Sequence, residues 1–145
     1  MEVKIKKLDP RAKLPQYGSV SAAGADLYAL LEHSVILAPG ETALLPTGLS
    51  AEIPEGYVGL IFARSSMGIK RGLAPANKVG VIDADYRGEI KVGLYNHSGE
   101  AQTVEPFERV AQLMIVPFLR AEFIESESLS DTKRGEGGFG STGRK

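Results

Sequence analysis

The 145-residue chain has no cysteine. Disulfides, cysteine-ligated zinc and thiol nucleophiles are therefore excluded, and the composition fits a reducing compartment. Neither sign of charge is in excess, with 17 Lys+Arg against 18 Asp+Glu and a net charge of −1. A broad basic field for a nucleic-acid polymer is thus missing. No window holds 18 consecutive apolar residues, and the first residues, Met-Glu-Val-Lys-Ile-Lys-Lys, lack the apolar core of a signal peptide. Export and membrane insertion are disfavoured, and a cytoplasmic location is expected. There are only two histidines, His33 and His97, both near turn signals and without a metal or triad context. What the chain does have is 17 glycines and 8 prolines, so long helices are not expected. The length suits one domain, able to bury roughly two-thirds of the surface of its unfolded chain.

Apolar segments are short and punctuated. Residues 34–38 end at Pro39-Gly40, residues 42–45 run into Pro46, and residues 49–53 end at Pro54-Glu-Gly56. Residues 57–63, 90–95 and 110–118 continue the pattern, the last showing helical spacing but read as strand from its β-branched Ile115-Val116 pair before Pro117. Turn chemistry every ten or so residues predicts many strands, hence a sandwich, barrel or jelly roll. About a turn and a half near Ser65 is the other helix candidate. The segment from Asp131 differs in kind, with five glycines and one aromatic. It cannot build a core, and it is expected to be mobile unless something orders it.

Two glycine patterns in this tail fail on context. Gly135, Gly137 and Gly140 satisfy G-x-G-x-x-G, and Gly138 with Gly143 gives G-x-x-x-x-G, but neither has the strand and helix such motifs need. What remains is chemistry. Arg134, Ser141, Thr142 and free backbone N–H groups suit an anion, and Phe139 can stack on a flat ring. Ala63-Arg-Ser-Ser-Met-Gly68 sets an arginine and two hydroxyls after an apolar strand, either a phosphate cradle or an ordinary exit turn. Gly80-Val-Ile-Asp-Ala-Asp-Tyr-Arg-Gly-Glu89 packs three carboxylates around a tyrosine. Asp83, leaving an apolar pair, is placed to be partly desolvated and so more basic, whereas Asp85 and Glu89 read as a hairpin tip.

With Ala23-Gly-Ala-Asp-Leu27 and Arg109-Val-Ala-Gln-Leu113, these segments and Arg134-Gly-Glu-Gly-Gly-Phe-Gly-Ser-Thr-Gly143 resemble the five ordered motifs of the trimeric dUTPases. The resemblance spans residues 23–143. It implies an all-β distorted jelly roll of the β-clip type over residues 1–130, with a flexible glycine-rich C-terminal lid over 131–145. It also implies hydrolysis of dUTP to dUMP and pyrophosphate by a homotrimer with shared active sites. Such an activity limits uracil incorporation into DNA and supplies dUMP for thymidylate synthesis.

By motif, the resemblance gives Asp83 the deoxyribose 3′-OH and the water that attacks the α-phosphorus. Tyr86 would lie against the sugar, and Asn77 with the Val81, Ile82 and Asp83 backbone would pair with uracil. Arg64, Ser65, Ser66 and Gln112 would hold the triphosphate, and Lys91 would line the site. Arg134, Phe139, Gly140, Ser141 and Thr142 would close over the nucleotide, Phe139 on the base. Mg²⁺ would be held by phosphates and water, with no direct protein ligand and Asp26 acting through water. One departure is Ser66, where the motif commonly has glycine. Arg-Ser-Ser also resembles dCTP deaminases, which share the fold. Their catalytic glutamate, ten residues after the aspartate, corresponds here to Gly93. A nucleotide-binding regulatory protein on the same scaffold is the remaining alternative, because partner surfaces leave no readable motif.

Overall fold

The computed structural model describes residues 1–138, and its strands all pair antiparallel. Twelve strands follow in order: β1 (Lys4–Lys7), β2 (Gln16–Tyr17), β3 (Ala25–Tyr28), β4 (Val35–Leu37), β5 (Thr42–Pro46) and β6 (Leu49–Glu52). Then come β7 (Tyr57–Phe62), β8 (Leu73–Pro75), β9 (Gly80–Ile82), β10 (Lys91–Asn96), β11 (Gln102–Val104) and β12 (Arg109–Pro117). Among the described residues the helical content is one short turn, Ser66–Lys70, where a turn and a half was expected. No helix there is long and apolar enough to cross a membrane.

The predicted punctuation is physical. Gly40 and Gly56, which follow Pro39 and Pro54, have φ of 81° and 80°, a left-handed backbone that only glycine adopts without strain. Residues 110–118, ambiguous by periodicity, lie in or just past β12, the longest strand, because β3 and β7 flank it on both sides. A helix there would leave the facing edges of both neighbours unpaired. β1 was not expected, since three of its four residues are lysine. It pairs only with β6, and charged edge residues of this kind discourage pairing with further chains.

The strands form a five-stranded sheet in the order β2-β3-β12-β7-β9, a three-stranded sheet β5-β10-β8, and the ribbons β1-β6 and β4-β11. Alternation on β10 turns Val92, Leu94 and Asn96 inward. They meet Leu27, Leu45, Leu73 and Val110 in one core. Asn96, wholly buried, donates to the Leu37 and Glu100 carbonyls and accepts from the Ser98 N–H and hydroxyl. Its burial is thereby compensated.

The last strand ends at Pro117, and residues 117–136 are exposed throughout. Phe118 N–H still donates to the Gly56 carbonyl at 3.0 Å. Beyond it Leu119, Phe123, Ile124 and Leu129 are each at least 80% exposed. These apolar side chains find no core among the described residues.

Candidate active site

The motif residues fall into two groups. The first is centred on Asp26, which β3 carries into the sheet as its only buried carboxylate. The opposing residue on β12 is Gln112, and Gln112 in turn faces Phe62 on β7, two residues before Arg64. Arg64 Nε donates to Asp26 Oδ1 at 2.7 Å, and Arg109 Nη1 to Oδ2 at 3.2 Å. A carboxylate this buried needs such compensation, and two guanidinium groups supply it. Arg64 Nη1 also donates to the Arg109 carbonyl at 3.3 Å and lies 3.5 Å from Ser66 Oγ. The phosphate-cradle reading of this turn thus gains a second arginine. Arg109 was quoted within its motif but not singled out as a site residue; its pairing runs through long-range strand register, which local patterns do not encode.

Gln112 Nε2 donates to the Ala63 carbonyl at 2.8 Å, so its side chain lies across the sheet beside Gly24. A Cβ at Gly24 would stand 3.0 Å from Gln112 Cδ and still closer to Oε1. The glycine of the first motif therefore makes room for the glutamine of the fourth. Ser65 is exposed, Ser66 opens the helical turn, and neither has positive φ. The backbone at position 66 therefore makes no conformational demand for glycine and accepts serine.

The second group sits at the other end of β7. β9 is the outermost strand of the large sheet and pairs Ile82 with Gly59. Asp83 is the first residue past the end of β9. Val81, Ile82, Asp83, Tyr86 and Lys91 line one open pocket of ≈ 400 Å³, together with Leu44 and Glu89. The Tyr86 N–H donates to the Asp83 carbonyl at 3.1 Å, closing a turn that places the carboxylate and ring at one mouth. Glu89, expected as part of a solvated hairpin tip, is a fastener. One oxygen accepts from the Gly48 N–H at 2.9 Å and the other lies 3.5 Å from Lys91 Nζ.

One expectation is corrected. Asp83 is exposed, as is Val81 on the same side of β9, so the apolar flank does not desolvate the carboxylate within a single chain. An edge strand has a neighbour on one side only, and its outer side chains meet solvent. Asn77 is exposed in the loop between β8 and β9 and is not part of the pocket lining. Arg134 lies in a tail turn, its Nε donating to the Gly137 carbonyl at 2.7 Å. Phe139, Gly140, Ser141 and Thr142 lie outside the described residues.

Asp26 and Asp83 are separated by three strand spacings across the sheet. Along it, Asp26 is level with Phe62 and Ile82 with Gly59, a difference of three residues to which Asp83, the next in the chain, adds one. At 4.8 Å per strand and 3.3 Å per residue, the two groups stand about 20 Å apart.

The dUTPase sequence model matches residues 10–143. The chain belongs to the dUTPase family. It is 51% identical over 144 residues to the deoxyuridine 5′-triphosphate nucleotidohydrolase of Nautilia profundicola, covering 99% of this chain and 100% of that protein. Among solved structures it resembles the Staphylococcus bacteriophage 80alpha dUTPase with dUpNHpp, with TM-score 0.88, 30% identity and 98% of each chain covered. A mutant dUTPase of phage phi11, described with a structural Mg(II) ion, aligns with TM-score 0.78 and 27% identity over 88% of this chain and 98% of that one. The expected all-β jelly-roll type is thus the fold of the chain.

The donor set fits Mg²⁺ held outside the protein. Both Asp26 oxygens already accept from arginine, leaving lone pairs for a water rather than a free chelating carboxylate.

Proposed function

We propose that this dUTPase-family chain hydrolyses dUTP to dUMP and pyrophosphate, as a homotrimer whose sites each combine groups from different subunits. The observation that carries the reading is the pocket that Asp83 and Tyr86 share in the turn after edge strand β9. An edge strand has unpaired backbone N–H and C=O groups, the alternating donors and acceptors that a uracil edge needs. Val81, Ile82 and Asp83 supply that backbone, with Asn77 completing the pairing from the adjoining loop. Cytosine would present a donor where uracil presents an acceptor, and buried mismatches of this kind cost about 10⁴ in selectivity. Tyr86 lies flat against the deoxyribose and leaves no space for a 2′-OH.

Asp83 takes the 3′-OH and a water, orienting the water in line with the α-phosphorus and accepting its proton. Positioning and general-base catalysis are what a protein contributes when water is the nucleophile. Electrons flow from the water oxygen to phosphorus, and pyrophosphate leaves. Arg64, Ser65, Ser66 and Gln112 of a neighbouring subunit hold the triphosphate, with Arg109 hydrogen-bonded to Asp26 beside them, and Lys91 adds charge at the pocket. Mg²⁺, when bound through the phosphates, neutralises the charge that builds on the leaving group. The roughly 20 Å between the two groups of one chain supports this shared construction. So do the unburied Leu119, Phe123, Ile124 and Leu129, which a neighbour can cover. Such a neighbour would also give Asp83 the desolvation that its own chain lacks.

Residues 131–145 act as the lid in this reading, Phe139 stacking on uracil while Arg134, Gly140, Ser141 and Thr142 meet the phosphates. Closure excludes bulk water and strengthens the charge interactions inside. The deaminase alternative finds no acid on β10, where Gly93 faces Leu44. A cytoplasmic location belongs to the same reading. The experiment is direct: the assembled protein with dUTP and Mg²⁺ releases pyrophosphate, and its absence sinks the proposal. Truncation after Asp131 is expected to cost on the order of 10²-fold in kcat/KM. The melting temperature and trimer mass should be unchanged; a truncated chain that unfolds would make the tail structural instead.

A further inference from the structure

The loop that carries Tyr86 is fastened at several points of its second half. Ser50, itself buried, donates from Oγ to the Arg87 carbonyl at 2.7 Å, and the Gly48 N–H binds the Glu89 carboxylate at 2.9 Å. The Ile90 N–H donates to the Leu49 carbonyl at 2.7 Å, and buried Thr47 Oγ1 donates to the Ile90 carbonyl at 2.6 Å. The Glu89 carbonyl accepts from the Tyr86 hydroxyl at 3.0 Å. The ring therefore folds back over Gly88 and is tied beyond it.

Gly88 is not among the residues with positive φ, so its backbone conformation does not demand glycine. The Tyr86 ring does. A Cβ at position 88 would lie 2.5 Å from Tyr86 Cζ and 2.8 Å from Cε2, well inside van der Waals contact. The bonds to Thr47, Gly48, Leu49 and Ser50 hold the residues on either side of Gly88 to the β5–β6 turn and β6, so the exposed ring yields before the loop does. The ring is 44% exposed and lines the pocket, so it gives way on its solvent side.

We propose that Gly88 is a specificity-determining residue: the bare Cα beneath Tyr86 seats the ring at the depth that admits a 2′-deoxyribose and refuses a ribose. The inference rests on the dUTP reading given above. A methyl group at position 88 lifts the ring into the space of the sugar. dUTP then loses its fitted contact, whereas UTP, already opposed by the ring, loses less.

The test measures kcat/KM for dUTP and for UTP in wild type and Gly88→Ala, with melting temperatures, in both the Tyr86 and the Tyr86→Ala backgrounds. Gly88→Ala is expected to lower the dUTP-to-UTP ratio about tenfold, the scale of one misplaced methyl in a binding pocket. It should lower the melting temperature only where Tyr86 is present. A ratio within twofold of wild type, or an equal melting loss in both backgrounds, overturns the proposal. If Gly88→Ala does not fold, the double variant should fold, because the ring is the obstacle; failure of both also overturns it. Wild type that hydrolyses neither nucleotide refutes the dUTP reading instead, and the melting cycle still reports whether Gly88 seats the ring.

Discussion

Asp83→Asn is expected to bind dUTP within a few-fold of wild type and to lose about 10³-fold in kcat, the usual scale of a positioned general base. Asparagine keeps the size of the side chain, an acceptor for the sugar hydroxyl and the turn through the Asp83 carbonyl, whose partner is the Tyr86 N–H. It cannot take the proton of the attacking water. The split between binding and turnover is therefore the informative quantity. Titration calorimetry with a non-hydrolysable analogue reads the first, and pyrophosphate release reads the second. Turnover within a few-fold of wild type would remove Asp83 from the chemistry.

The second large effect is recovery rather than loss. Arg64→Ala and Asp83→Asn are each expected to be nearly inactive alone. Arg64→Ala leaves Asp26 paired with Arg109 at 3.2 Å, so the buried carboxylate is not orphaned. Co-refolded in equal amounts, the two variants form mixed trimers in which some sites take Asp83 from one subunit and Arg64 from the next. Random assembly around a threefold axis makes about a quarter of such sites intact. Recovery to roughly a quarter of wild-type activity is the expected result. No recovery, in mixed trimers verified by mass, would place both residues in one chain's site, against the roughly 20 Å separation set by strand register.

Much of this was legible in the sequence, and the reasons differ by element. Pro39-Gly40 and Pro54-Glu-Gly56 marked turns because their chemistry is local, and the strands between them followed. The five motifs gave the family because they are contiguous strings in order. What periodicity could not give is register. The pairing of Asp26 with Arg109 joins residues 83 positions apart and depends on β3 lying beside β12. Glu89 looked like a solvated acid because its partner, the Gly48 N–H, is 41 residues away. The exposure of Asp83 reflects β9 being an edge strand, a property of sheet order that the apolar Val81-Ile82 pair conceals. Gly88, an ordinary turn glycine in the sequence, acquires a role only once the Tyr86 ring is seen folded over it.

The central claim is tested most directly by pyrophosphate release from dUTP, dTTP, dCTP and UTP, each with Mg²⁺, at a protein concentration that keeps the trimer assembled. Rapid release from dUTP, with dUMP as co-product and the other three slower by orders of magnitude, is the predicted result. Comparable release from all four, or conversion of dCTP to a uracil nucleotide, would contradict it.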